Sequence, residues 1–101
     1  MQKIFHVYIL ECNDGSYYTG ITKDVEYRFE QHQQGYDPGC YTYNRRPLKL
    51  VFAQDFDDPT TAIMSEKQIK GWSRAKKKAL IENDIELLKK LSNVNNTKKI
   101  I

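Results

Sequence analysis

The sequence predicts an α/β (α+β) fold: a small three-stranded, mostly antiparallel sheet flanked by helices, in the order ββαβα(α)α. Three observations carry this. Two runs rich in β-branched and aromatic residues, 4–11 and 16–22, flank the turn signal Asn13-Asp14-Gly15. A third such run, residues 48–54, follows a stretch with two glycines and two prolines and no helical period. Capping residues introduce helical segments between and after these strands.

Taken in order, the first two runs form a β-hairpin. Asp24 can cap a helix running to about Gln34, and Gly35 supplies its stop. Val25, Phe29 and His32 fall on adjoining positions of that helix and give it a thin apolar face. Residues 35–47 read as a loop, and 48–54 as the third strand. Asp58-Pro59 starts a helix with Ala62, Ile63 and Ile69 turned inward. It breaks near Gly71-Trp72-Ser73, where Ser73 can cap a second helix. Asn83 is a candidate cap for a last short helix that buries Ile85, Leu88 and Leu91. These elements fill one domain over 1–91, and the polar segment 92–101 is expected to be a disordered tail.

Composition excludes several classes of protein. The 101 residues are 40% hydrophobic and 29% charged, enough for one hydrophobic core. No apolar run approaches the ~20 residues of a membrane helix, and the N-terminal segment lacks the small-residue cleavage site of a secretory signal. Cys12 and Cys40 cannot by themselves make a disulfide framework or a four-ligand zinc site, so free thiols in a reducing cytoplasm are expected. The net charge of +3 is unevenly spread. Residues 38–53 hold Arg45, Arg46 and Lys49 and no acid; residues 67–81 hold Lys67, Lys70, Arg74, Lys76, Lys77 and Lys78 and no acid. Segregated basic charge suits a phosphate backbone, although a solvated helix face has the same pattern.

His6-Val7-Tyr8 followed by Tyr18-Thr19-Gly20 resembles the paired strand motifs of the GIY-YIG nucleases. Arg28 comes ten residues after Tyr18 and His32 fourteen after it, at the offsets where that family places an arginine and a His or Tyr on its first helix. Glu66 stands on a helix after the third strand, where the family keeps a metal-binding glutamate. The chain is similar to the small stand-alone bacterial members, which also tend to show a Tyr-Thr…Arg-Pro loop, here Tyr41-Thr42…Arg46-Pro47, and an Ile-Lys-x-Trp segment, here Ile69-Lys70-Gly71-Trp72. There are departures. The first motif lacks its glycine and isoleucine, Thr19 replaces isoleucine in the second, and a lysine carried by some members is Ile21 here. For the family's late asparagine only Asn83 is a candidate, with a helix cap as its alternative.

The resemblance implies a metal-dependent endonuclease that hydrolyses phosphodiester bonds in DNA, in repair, recombination or the processing of branched strands. It implies Tyr18 as general base, Tyr8 positioning water or the scissile phosphate, Arg28 neutralising the pentavalent phosphate, and His32 bonding the phosphate or Tyr18. Glu66 would hold one Mg²⁺ or Mn²⁺. The residue chemistry is compatible. A phenol is a poor base at its ordinary pKa of ~10 and needs nearby cations. Arg28 offers a forked donor set to phosphate. One carboxylate suits Mg²⁺, which keeps most of its waters. Arg45, Arg46, Lys70, Arg74, Lys76 and Lys77 are the candidate nucleic-acid contacts, with DNA or RNA as the partner. Taken singly, each of these residues has a plainer reading: the tyrosines as strand packing, Arg28 as a partner of Glu26 or Glu30, Glu66 as a solvated residue facing Lys70. Two other functions therefore stay open: a nucleic-acid-binding module with this fold and no chemistry, and a subunit active only with a protein partner or as a homodimer.

A shared site also sets the hairpin register. A two-residue Asp14-Gly15 turn would put Tyr8 and Tyr18 on opposite faces of the sheet. A three-residue loop with Gly15 left-handed pairs Leu10 with Tyr18 and Tyr8 with Gly20, and puts both tyrosines on one face. The latter is expected.

Overall fold

The computed structural model describes residues 4–100, with side chains described as far as Ser92. Three strands and four helices follow in order: β1 (Phe5–Glu11), β2 (Tyr17–Thr22), α1 (Val25–Gln34), β3 (Lys49–Phe56), α2 (Pro59–Lys70), α3 (Arg74–Ile81) and α4 (Ile85–Ile100). The chain divides into two compact units, Met1–Lys70 and Gly71–Ile101. The division falls at the glycine where the sequence breaks its helical pattern.

In the first unit the sheet is antiparallel throughout, with strand order β2-β1-β3. β1 is central, so Val7, Tyr8, Ile9 and Leu10 are all buried. Each fully buried aliphatic side chain of this kind contributes about 1.5–3 kcal/mol. The hairpin has the three-residue loop. Cys12 N–H donates to Ser16 O at 2.8 Å, Gly15 N–H donates to Cys12 O at 2.9 Å, and Gly15 has φ 86°. The register pairs Leu10 with Tyr18 and Tyr8 with Gly20. Along β3 the register shifts between Ile9 and Leu10, which pair with Phe52 and Leu50, so Val51 is the extra residue of a bulge.

The caps of α1 are those the sequence indicates. Asp24 accepts from Tyr27 N–H at 3.0 Å. At the other end Gly35 N–H donates to His32 O and Tyr36 N–H to Gln31 O, a Schellman closure around Gly35. The Gln33 side chain then pairs with both backbone groups of Leu48, at 2.8 and 3.0 Å, and ties the end of α1 to the start of β3. Val25 and Phe29 pack against the cluster of Tyr8, Leu10, Cys12 and Leu48. The loop between α1 and β3 contains one short 3-10 turn, Tyr43–Arg45.

α2 packs against all three strands. Its buried stripe is Ala62, Glu66 and Ile69, whereas Ile63, expected inside, is exposed. Spacings of four and three residues keep 62, 66 and 69 in line, and Ile63 stands about 100° away from Ala62.

In the second unit Ser73 caps α3 by accepting from Lys76 N–H, and α3 packs on α4. The expected cap of α4 is corrected: Asp84, not Asn83, accepts from Leu87 N–H at 3.1 Å. Asn83 has φ 57° and closes α3, with Asn83 N–H on Leu80 O and Asp84 N–H on Ala79 O. Asparagine is the residue after glycine best suited to that left-handed position. Ile85 is exposed rather than buried, while Leu88 and Leu91 are half-buried. The helical span of α4 takes in residues 92–100, where the sequence reading placed a disordered tail; no Gly or Pro interrupts it.

Candidate active site

Tyr8 and Tyr18 sit diagonally on one face of the β1–β2 pair, with ring centroids 6.4 Å apart. Gly20, directly opposite Tyr8, makes this arrangement possible. A Cβ at Gly20 would collide with the hydroxyl end of the Tyr8 ring, so the third residue of the second motif is the floor under the first tyrosine.

His32 comes from the last turn of α1 and is buried. Its Nε2 lies 2.9 Å from the Tyr8 hydroxyl and its Nδ1 lies 2.9 Å from Thr42 Oγ1. Its ring meets Tyr18 edge-on at 5.1 Å. Of the two partners expected for His32, the phosphate or Tyr18, the second is corrected: within the chain the hydrogen bond goes to Tyr8, which is buried while Tyr18 is half-buried. Arg28, one turn earlier, donates to Gln31 Oε1 at 3.1 Å, and its charge is felt at Tyr8. On its other side Tyr18 faces Tyr41, nearly parallel at 6.3 Å, and the Arg45 guanidinium lies 3.7 Å from the Tyr41 ring centre.

Burial dominates the electrostatics. It pushes Tyr8 up to about 12, helped by the neighbouring Tyr18 and opposed by Arg28. Burial and the Cys40 sulfur raise Tyr18, while Lys70 and Arg28 pull it down. His32 is pushed down to about 4 by burial and by the Arg28 charge. At neutral pH the site therefore holds two phenols and a neutral imidazole, with Arg28 as a fixed cation.

Glu66 is buried on the inner stripe of α2, and Lys70, one turn on, places its Nζ 2.7 Å from the carboxylate. This bond holds the Lys70 pKa up, and the Lys70 charge is also felt at Tyr18. Glu66 thus joins the tyrosines through Lys70. Among the described residues no cluster of three or more His, Cys, Asp or Glu could hold a metal, and Glu66 is the buried carboxylate. A single hard oxygen donor suits Mg²⁺ or Mn²⁺ with waters completing the shell, and does not suit zinc. The residues fit such an ion, with Lys70 competing for the carboxylate.

The candidate phosphate contacts are placed unevenly. Arg45 binds Asp14 at 3.1 Å and the Tyr41 carbonyl at 2.7 Å. Arg46 is half-buried, lies over Gly35 and donates to the carbonyls of Tyr43 and Gln33. Lys76, expected on a phosphate-facing surface, is buried, with its ammonium 4.1 Å from the Trp72 ring centre; Trp72 precedes the Ser73 cap and Lys76 lies in the first turn of α3, so the cation meets the ring across the helix start. Arg74 is exposed and Lys77 half-buried. Thr42, Cys40 and Tyr41 are site residues that sequence reasoning left without a role. The Tyr41-Thr42…Arg46-Pro47 loop was the one signal that pointed to them.

The first unit thus brings a two-tyrosine hairpin together with an arginine and a histidine from the first helix and a glutamate–lysine pair from the next. The GIY-YIG catalytic domain matches residues 4–79, and the chain belongs to that family. Among its relatives are the UPF0213 proteins. That of Halobacterium salinarum is 47% identical over 74% of this chain and 96% of its own length. That of Staphylococcus saprophyticus is 45% identical over 75% of this chain and 92% of its own. The solution NMR structure of a UPF0213 protein from Bacillus halodurans superposes with a TM-score of 0.52 at 42% identity, covering 78% of this chain and 83% of that one. The solution structure of a protein from E. faecalis gives 0.58 at 30% identity, covering 82% and 90%.

Proposed function

We propose that this chain is a divalent-metal-dependent endonuclease of the cytoplasm that hydrolyses phosphodiester bonds in DNA, in repair, recombination or the processing of branched strands. The observation that carries this reading is the convergence of Tyr8, Tyr18, Arg28 and His32 on one face of the hairpin, with the Glu66–Lys70 pair beside Tyr18. Tyr18 is the more accessible phenol and is the base; Lys70 and Arg28 favour its phenolate, which accepts a proton from the attacking water. Tyr8, held by His32, orients the water or the scissile phosphate. Arg28 offers its fork to the phosphoryl oxygens as negative charge builds on them. Glu66 would hold one Mg²⁺ or Mn²⁺, which supplies Lewis-acid stabilisation of the phosphoryl group and the departing oxygen. The basic residues Arg45, Arg46, Lys70, Arg74 and Lys77 add sequence-independent attraction for the backbone.

The Lys70 ammonium on Glu66 favours a second reading, in which a protein partner or a second copy of the chain must free the carboxylate before the site works. One experiment tests whether the chain cleaves on its own. Labelled single-stranded, flapped, branched and duplex DNA are incubated with the protein in Mg²⁺, Mn²⁺ or EDTA. Cleavage in either metal and none in EDTA is expected. Binding in EDTA with no cleavage in either metal overturns independent activity and leaves a binding module or a partner-dependent subunit.

A further inference from the structure

Thr42 is 1% exposed and stands at the N-cap position of the 3-10 turn, yet its hydroxyl caps nothing. Backbone bonds from Tyr43 N–H to Cys40 O and from Arg45 N–H to Thr42 O wind this segment tightly. The Thr42 hydroxyl is thereby brought 2.9 Å from His32 Nδ1 and 3.4 Å from Cys40 Sγ.

The protons along this line follow from what each group can donate. The Thr42 hydroxyl donates to the Cys40 sulfur, so its oxygen is left to accept. His32 Nδ1, 2.9 Å away and 3.8 Å from the same sulfur, therefore carries the proton and donates to Thr42 Oγ1. A neutral imidazole carries one proton, so Nε2 accepts from the Tyr8 hydroxyl. The order is Tyr8 to His32 to Thr42 to Cys40, and His32 and Thr42 each accept once and donate once. The opposite tautomer would leave the Nδ1 lone pair against Thr42 Oγ1, whose proton is already given to Cys40.

We propose that Thr42 is a positioning residue: it holds His32 in the Nδ1–H tautomer and so turns the Nε2 lone pair onto Tyr8. The tautomer stands on its own geometry; its consequence for cleavage rests on the nuclease reading above. With Nε2 as acceptor, the Tyr8 hydroxyl is pinned in direction. Without Thr42 the imidazole can flip or exchange tautomers, and Tyr8 loses its fixed orientation.

The test combines spectra and kinetics. His6→Gln protein, labelled with ¹⁵N, leaves His32 as the one histidine, and long-range ¹H–¹⁵N correlations report which ring nitrogen carries the proton. The Nδ1–H form is expected with Thr42 present. In Thr42→Val the ring becomes a mixture or shifts to Nε2–H, and kcat falls roughly tenfold to a hundredfold, the scale for losing the partner that orients a histidine, with KM unchanged. Thr42→Ser restores both readouts, and Thr42→Ala takes the place of the valine variant should that one not fold. An Nε2–H signal with Thr42 present overturns the proposal, as does an undisturbed Nδ1–H signal in both Thr42→Val and Thr42→Ala. If the unsubstituted protein cuts no DNA, the nuclease reading fails while the spectra still decide this one.

Discussion

The Tyr8 hydroxyl lies 2.9 Å from His32 Nε2, and both residues are buried, at 2% and 4% exposure. This one bond joins the central strand to the end of α1. In Tyr8→Phe the Nε2 lone pair stays buried without its donor, which costs about 1–3 kcal/mol. Thermal denaturation is expected to show that loss, and cleavage is expected to fall with it. Tyr18→Phe does not break this bond and is expected to destabilise less while still abolishing cleavage. Equal melting temperatures for the two variants would contradict the assignment.

His32 makes stability depend on pH. Its value is pushed from 6.5 to about 4 in the folded chain, so between those values the unfolded chain binds a proton that the folded chain does not. Stability is therefore full above about pH 6.5 and is lost as pH falls toward 4. The loss attributable to this group is at most about 3 kcal/mol. Urea denaturation at pH 7 and pH 4.5 measures it, and His32→Gln is expected to flatten the difference. A difference of the same size in the variant would rule out His32 as its source.

Glu66→Gln tests the metal assignment. A solvated Glu66 would be substituted with little effect, but its burial against Lys70 changes the forecast for stability. A neutral amide in place of the charged partner is expected to cost about 1–2 kcal/mol. Cleavage is expected to fall by orders of magnitude, and DNA binding to persist or tighten as a negative charge leaves the phosphate path. Arg28→Ala is expected to lose affinity as well as activity. Cleavage by Glu66→Gln at the original rate in Mg²⁺ would remove Glu66 from the metal site.

Thr19 replaces an isoleucine of the family motif, and its hydroxyl is buried with no hydrogen-bond partner. Thr19→Val keeps the shape and removes the orphaned polar atom. The variant is expected to be more stable by about 1–2 kcal/mol with unchanged cleavage. A lower melting temperature would mean that the hydroxyl has a partner in solution.

Arg45 and Arg46 separate by role. Arg46 donates to two backbone carbonyls, so Arg46→Ala is expected to lose about 1–3 kcal/mol of stability. Arg45, on the Tyr41 ring and nearer solvent, is the better probe of phosphate binding. Arg45→Ala is expected to flatten the slope of log affinity against log salt by about one unit. An unchanged slope would leave Arg45 as a strut between Asp14 and Tyr41.

The sequence by itself determined the hairpin register, both caps of α1, the start of α2 and the cap of α3. The caps depend on residues only a few positions apart, such as Asp24 against the Tyr27 amide, so local chemistry suffices for them; the register followed from the local loop together with the requirement that Tyr8 and Tyr18 share a face. It also set out Tyr8, Tyr18, Arg28, His32 and Glu66, since motif spacing survives without coordinates. Tertiary structure alone decided how those side chains are used. It gave His32 to Tyr8 and Thr42 rather than to Tyr18, buried Glu66 where Ile63 was expected, turned Lys76 onto Trp72 and bent Arg46 back over Gly35. It moved Asn83 from the start of α4 to the end of α3, where a left-handed residue was required. The reason is physical: a long polar side chain takes its direction from whatever buried donor or acceptor the packing brings within about 3 Å, and the sequence spacing between Tyr8, His32 and Thr42 carries no information about that distance.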